Sequence, residues 1–274
     1  MQVSNRLPEF NVGIEASVPE VRWGAGEFNR QAGNDAPRPQ SFNNVLANIG
    51  QARGIAKDYQ AAPEFDEAAV PSFRAMAEET KRQYEFMTKP RAHGGMGMVH
   101  EVVPEDPYRT SRGMMNDVAN GRIRTLATAT TGSHPLFTDD ENDMFRAVHD
   151  VFGHAGSGRN FNAAGEEAAF RSHYNMFSPA AQGAMATETR GQNSTNNFGG
   201  LAKGEFAPNK IALIPSTRLI LPAPRQLVLP GGRRTAMLHG IDEAAGAQET
   251  AMSEHAKSFG LPGQPHPDAS WIKE

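Results

Sequence analysis

Apolar residues recur at three- to four-residue spacing along much of the chain and alternate in only two places, a pattern that predicts helices with little sheet. The clearest run is Phe73, Met76, Ala77, Thr80, Tyr84 and Met87. It starts beside Pro71, where proline suits a first turn, and stops at Pro90. Its other face, Glu78, Glu79, Lys81, Arg82 and Glu85, is expected to lie in water. Val45, Leu46, Ile49 and Ile55 predict a helix over 41–59, weakened by Gly50 and Gly54. Residues 111–120 also read as helix. The acids Asp139, Asp140 and Glu141 open a further one, whose apolar stripe is Met144, Phe145, Val148, Val151 and Phe152, and Gly153 is expected to end it. A helix follows over 162–176 with Ala163, Ala164, Ala168, Ala169 and Phe170 inward. Another begins at Ser178 and Pro179 and runs to about Arg190. The β signals are Val99 to Val103 and the alternation over 122–130. After Lys210, the pieces IALIP, RLILP and RQLVLP are each closed by proline, as in edge strands or extended cover. Met114, Met115 and Met144 read as core filling.

The expected fold is therefore mainly α with minor β. A helical domain over 41–230 lies between an extended or disordered arm, 1–40, and a loosely structured tail, 231–274. In the arm, Pro8, Gly13, Pro19, Gly24, Gly26, Gly33, Pro37 and Pro39 leave no room for a useful helix. Its apolar anchors, including Val21, Trp23 and Phe28, imply that it lies on its own domain or on a partner.

Composition narrows the chemistry. The 274 residues include 27 glycines and 19 prolines, and the mean hydropathy is −0.54, which marks a loop-rich, polar chain. With 27 basic against 31 acidic residues the net charge is −4 and the pI about 6.2, so no positive field favours nucleic acid. There is no cysteine, so disulfides, thiolate metal sites and cysteine nucleophiles are excluded, and any metal must be held by nitrogen and oxygen. No apolar run approaches the ~20 residues of a membrane span. The opening MQVSNRLPEF lacks a signal-peptide pattern, so a cytoplasmic or virion location is expected. The glycine cluster in HGGMGMVHEVV lacks the strand-to-helix context of a phosphate loop.

The chemically informative segment is RAVHDVFGHA, with His149 and His154 five residues apart. On an ideal α-helix that step rotates by about 140°, so both rings meet one ion only if the helix breaks. Gly153 offers such a break. Two histidines and a carboxylate on one face of a metal form the iron(II) oxygenase pattern. Glu166, Glu167 and Glu188 are the carboxylate candidates. The bland alternative is a pair of histidines capping a helix end. His173 reads as a surface or satisfied core histidine.

HDVFGH resembles the metal-binding segment of the aromatic amino acid hydroxylases, the bacterial phenylalanine hydroxylases most of all, and TETRG (187–191) is similar to the segment that carries that family's glutamate ligand. The resemblance covers about 117–191. It implies His149, His154 and Glu188 as ligands of Fe(2+), with Zn(2+) as the alternative metal, Asp150 as support beside the first ligand, and hydroxylation of a small-molecule substrate with a reduced cosubstrate. The chain departs from the family in offering His134 and no arginine upstream of the first histidine, in DENDMFRAV before the histidines, and in lacking a pterin-stacking segment.

Two other classes stay open. A metal-dependent hydrolase would use Asp150 or Glu167 as general base. A bacteriophage virion or assembly protein would use its arms to engage itself or other virion proteins, with a structural or vestigial metal site.

Overall fold

The computed structural model describes residues 17–34, 42, 45, 48–202 and 205–218. Its architecture is helical with one small sheet, as the periodicity predicts. In chain order the helices are α1 (Pro19–Ala32), α2 (Ile49–Ala61), α3 (Val70–Thr88), α4 (Ser111–Ala119), α5 (Thr128–Thr131), α6 (Asp139–Val148), α7 (Ala163–Tyr174), α8 (Gln182–Ala186) and α9 (Gln192–Phe198). Two π-helical segments, His149–Ala155 and Thr187–Gly191, continue α6 and α8 without a break. Strands β1 (Val99–Val103) and β2 (Arg122–Leu126) pair in parallel, Val99 opposite Arg122, with α4 as the crossover such a pair requires.

The core is the shared face of α3, α6, the first π-segment, α7 and α8. Phe73, Met76, Met87, Val148, Val151, Phe152 and Phe170 are buried there, with Met114 and Ile123 closing it from the βαβ side. α6 starts at a capping box in which Thr138 and Glu141 satisfy each other's backbone N–H groups, so the acidic start read from the sequence is a built helix start. Met114 and Met115 are core, while Met144 is only half-buried.

Several elements differ from expectation for identifiable reasons. A helix forms at 19–32 in the glycine-rich arm, because Gly24 lets α1 press on the Met96 side chain. Val21 and Phe28 are buried, Val18 N–H donates to Ala155 C=O (3.1 Å) and Arg22 Nε donates to Gly156 C=O (3.1 Å). Tertiary contact here overrides poor helix propensity. α2 begins at Ile49, where Asn48 accepts from Gln51 N–H, later than the apolar spacing implies. Glu79, expected in water, is buried and accepts from the N–H and hydroxyl of Ser178, capping the turn ahead of α8. The strand after Arg122 ends at Leu126, and 128–131 turn into α5, tied to α6 by Asp143 accepting from Thr128. The helix expected from Ser178 to about Arg190 begins only at Gln182, after a turn over 179–181, and runs on to Phe198. Of the apolar pieces after Lys210, IALIP buries Ile211 and Ile214, and Ile211 bridges to Phe65; RLILP beyond Arg218, RQLVLP and the tail lie outside the described residues. No helix among the described residues is long and apolar enough to cross a membrane.

Candidate metal centre

Gly153 does not end the helix. The backbone stays helical through Ala155 but widens to a π-turn, in which hydrogen bonds span five residues instead of four. A five-residue step that would swing His154 away on an α-helix thus returns it to the face of His149. Their ring centroids lie 5.4 Å apart, nearly perpendicular. The residues that permit this are local and distant. The missing Cβ of Gly153 lets Ala169 of α7 approach, since a Cβ there would sit 3.2 Å from both the Cβ and the carbonyl oxygen of Ala169. From α7, Ser172 Oγ donates to Phe152 C=O (2.6 Å), serving a carbonyl inside the widened turn.

α7 supplies the third group. Asn162 caps it by accepting from Gly165 N–H, which puts Glu166 in the first turn, beside His154. Gly165 has no substitute there, because a Cβ would fall on the Asn160 carbonyl. A nitrogen of His149, a nitrogen of His154 and a carboxylate oxygen of Glu166 all lie within 4.8 Å of one another, and the three residues are buried. His154 Nε2 stands 3.5 Å from Glu166 Oε1, while Glu166 Oε2 accepts from Asn193 Nδ2 (2.8 Å). This group can hold a metal ion.

The hydrogen bonds around it decide which ring nitrogens face inward. His154 Nδ1 lies 3.2 Å from the Arg159 carbonyl, which only accepts, so Nδ1 carries the proton and Nε2 the lone pair. For His149 the logic runs through two further residues. Gln83 Nε2 donates to Met176 C=O, which fixes its Oε1 as acceptor for His173 Nε2–H at 2.6 Å. His173 is wholly buried, and burial followed by the nearby His149 holds it well below the usual histidine range, hence neutral. Its Nδ1 therefore accepts, and His149 Nδ1, 3.3 Å away, donates to it. Both imidazoles are left with Nε2 as the lone-pair atom, the arrangement in which metal-binding histidines are usually oriented. Burial pulls His154 toward the neutral form, but Glu166, then Asp150, raise its pKa above the ordinary value, so in the absence of an ion a proton is drawn to the same spot.

The other sequence candidates are placed as follows. Glu188 belongs to the second π-segment and is not in the His149, His154 and Glu166 group. It faces His134, with Oε1 3.4 Å from Nε2. Glu167 is held by Arg190 through two bonds of 2.7 and 2.9 Å and by Arg171 at 2.8 Å, so its charge is already matched. Asp150 is half-buried and acts by charge on both His154 and Arg146. His173 is a satisfied core histidine, and also the partner that orients His149.

No family model, no curated protein and no solved structure matches the chain.

A cavity of about 240 Å³ reaches this group at His149. Phe145, Arg146, Asn142, Gln192 and Phe206 line it together with Glu188, so the two π-segments each contribute one ionisable side chain to its wall.

Proposed function

We propose that the chain is a mononuclear non-haem metal enzyme with His149, His154 and Glu166 as the protein ligands, and that the metal is iron(II) in an oxygenase-like, hydroxylating reaction. The observation that carries the reading is the convergence of two imidazoles, each oriented by its own Nδ1–H bond, on one buried carboxylate beside a cavity. Two neutral imidazoles and one carboxylate form the oxygen- and nitrogen-donor set that suits a divalent ion and leaves other coordination positions for exchangeable ligands. When bound, such an ion supplies redox chemistry with dioxygen. The chain's own residues do the rest: Arg159 C=O and His173 hold the two rings, Asn193 holds Glu166, and the cavity wall at Phe145 and Phe206 gives an organic substrate apolar surface next to His149. The resemblance of HDVFGH to the aromatic amino acid hydroxylases supports the same reaction class, with Glu166 from α7 in place of the later glutamate.

Metal analysis of tag-free protein tests the site. One equivalent of bound metal is expected for the natural chain, with near-complete loss in His149→Ala and Glu166→Gln and retention in Glu188→Gln. Loss in Glu188→Gln with retention in Glu166→Gln would reassign the carboxylate to the residue that the resemblance implies. Equal retention in all variants would sink the site.

A further inference from the structure

Glu188 is an unusual carboxylate. It is 8% exposed, yet among the described residues no arginine or lysine pairs with it; its Oε1 is fully buried and makes no hydrogen bond there. The nearest donor, His134 Nε2, stands off at 3.4 Å. His134 cannot turn to serve it better. Its Nδ1 accepts from the backbone N–H groups of Leu136 (3.1 Å) and Phe137 (2.9 Å), and its ring is stacked on Phe137 at 4.1 Å. The ring is thereby fixed as an Nε2–H donor aimed at Glu188. The hydroxyl of Tyr59, close enough for Glu188 to act on by charge, donates instead to Pro208 C=O.

The cation on the same cavity wall is matched elsewhere. Arg146 donates to Leu126 C=O (2.8 Å) and Thr131 Oγ1 (2.6 Å), and three aspartates, Asp143, Asp150 and Asp139, act on it by charge. Arg190, two positions beyond Glu188, is engaged by Glu167, Gln51 and Thr217. Among the described residues that line the cavity, Glu188 is the one carboxylate, and apart from Arg146 and His149 the wall is uncharged, made of amide, hydroxyl, aromatic and small apolar groups. A buried negative charge without a matching cation is costly, and a ligand that brings the cation recovers that cost. Aromatic faces such as Phe145 and Phe206 also suit an organic cation.

We propose that this cavity is the substrate pocket and that Glu188 is its anchor for a small organic cation, a primary ammonium group donating to the Glu188 carboxylate while the remainder of the molecule extends toward His149. His134 is a positioning residue, holding the carboxylate from behind. The proposal deepens the metal-enzyme reading by naming a substrate class for the same site, and it rests on that reading only for what happens after binding. The volume, just under the roughly 300–1,000 Å³ of typical ligand sites, limits the ligand to a small molecule.

Calorimetric titration of the full chain, stripped of metal, with benzylammonium, benzyl alcohol and benzoate tests it. These probes share one shape and differ in charge. The expected result is measurable binding of benzylammonium, at least ~10-fold weaker binding of the alcohol and none of benzoate, a charge-assisted bond being the stronger kind. Glu188→Gln should erase the preference between cation and alcohol, and His134→Phe should reduce it. Equal binding of cation and alcohol, preference for benzoate, or no binding of any probe to the natural chain overturns the proposal, whether or not the variants fold. Metal uptake measured on the same preparation separates the two ideas. Uptake without ammonium preference rejects the pocket alone, and ammonium preference without uptake rejects the metal site alone.

Discussion

His173 never needs to touch an ion to matter, because it sets which nitrogen of His149 carries the proton. Replacing it with phenylalanine keeps the ring volume and removes the acceptor. Metal affinity, measured by competition with a chelator, is expected to fall about 10–100-fold with the helical circular dichroism unchanged. Gln83→Leu should act in the same direction, since it frees His173 to take the other tautomer; unchanged affinity in both variants would remove the relay from the site. The two histidines of the proposed site were legible in HDVFGH from their spacing to a glycine and from its resemblance to a known segment. Their supports were not. Gln83 and His173 are 90 positions apart, and no periodicity announces a hydrogen bond over that separation. Which of Glu166, Glu167 and Glu188 groups with the two histidines was equally closed to sequence reasoning, because distant arginines claim Glu167 and Asn193 holds Glu166.

Helix positions were readable where apolar spacing and caps agreed, as in α3 and α6, and misjudged where tertiary contact decided. Gly153 carries the lesson. Glycine after an apolar stripe reads as a helix end, but here its use is close approach to Ala169, and the helix continues in a wider form. The second π-segment has a local contribution that a sequence can show: Thr187, Thr189 and Thr195 each donate to the carbonyl four residues earlier, a back-bond that bends and loosens an α-helix. One tie between elements makes a pH prediction. His100 in β1 bonds Thr125 of β2 (2.7 Å) and Tyr84 of α3 (3.1 Å), and burial, opposed by Asp143, lowers its pKa. The unfolded chain, with a histidine near 6.5, then binds a proton that the folded chain refuses. This contribution to stability is complete above pH 6.5 and lost as the pH falls below it. In thermal melts the advantage of the natural chain over His100→Gln should therefore shrink between pH 7.5 and 5.5; an advantage that grows on acidification would contradict the assigned direction.

At the scale of the molecule, α1 is the clamp on the site. It is remote in sequence but lies across the first π-segment, with its far end held by Asn29 and Asn34 donating to the carbonyls of Asn175 and Met176 after α7. Removing residues 1–34 exposes the seats of Val21 and Phe28, each worth about 1.5–3 kcal/mol of burial. The denaturant midpoint should drop accordingly and metal affinity with it, whereas an unchanged midpoint would make α1 dispensable. The described part of the chain thus uses this segment on its own domain, one of the two roles its apolar anchors allowed. The widened turns have a last consequence, which concerns insertion and deletion in place of substitution. A π-turn holds one residue more than the α-turn it replaces, so each ionisable wall of the cavity depends on a count of residues. Dropping one position between His149 and His154 would leave a four-residue step, which an ordinary α-helix presents on one face with no widening at all. The same two imidazoles would then converge by a different backbone, displaced relative to α7. In this protein the chain length between two residues is itself a determinant of chemistry, and a comparison that tolerates gaps inside HDVFGH or TETRG would erase the feature that builds the site.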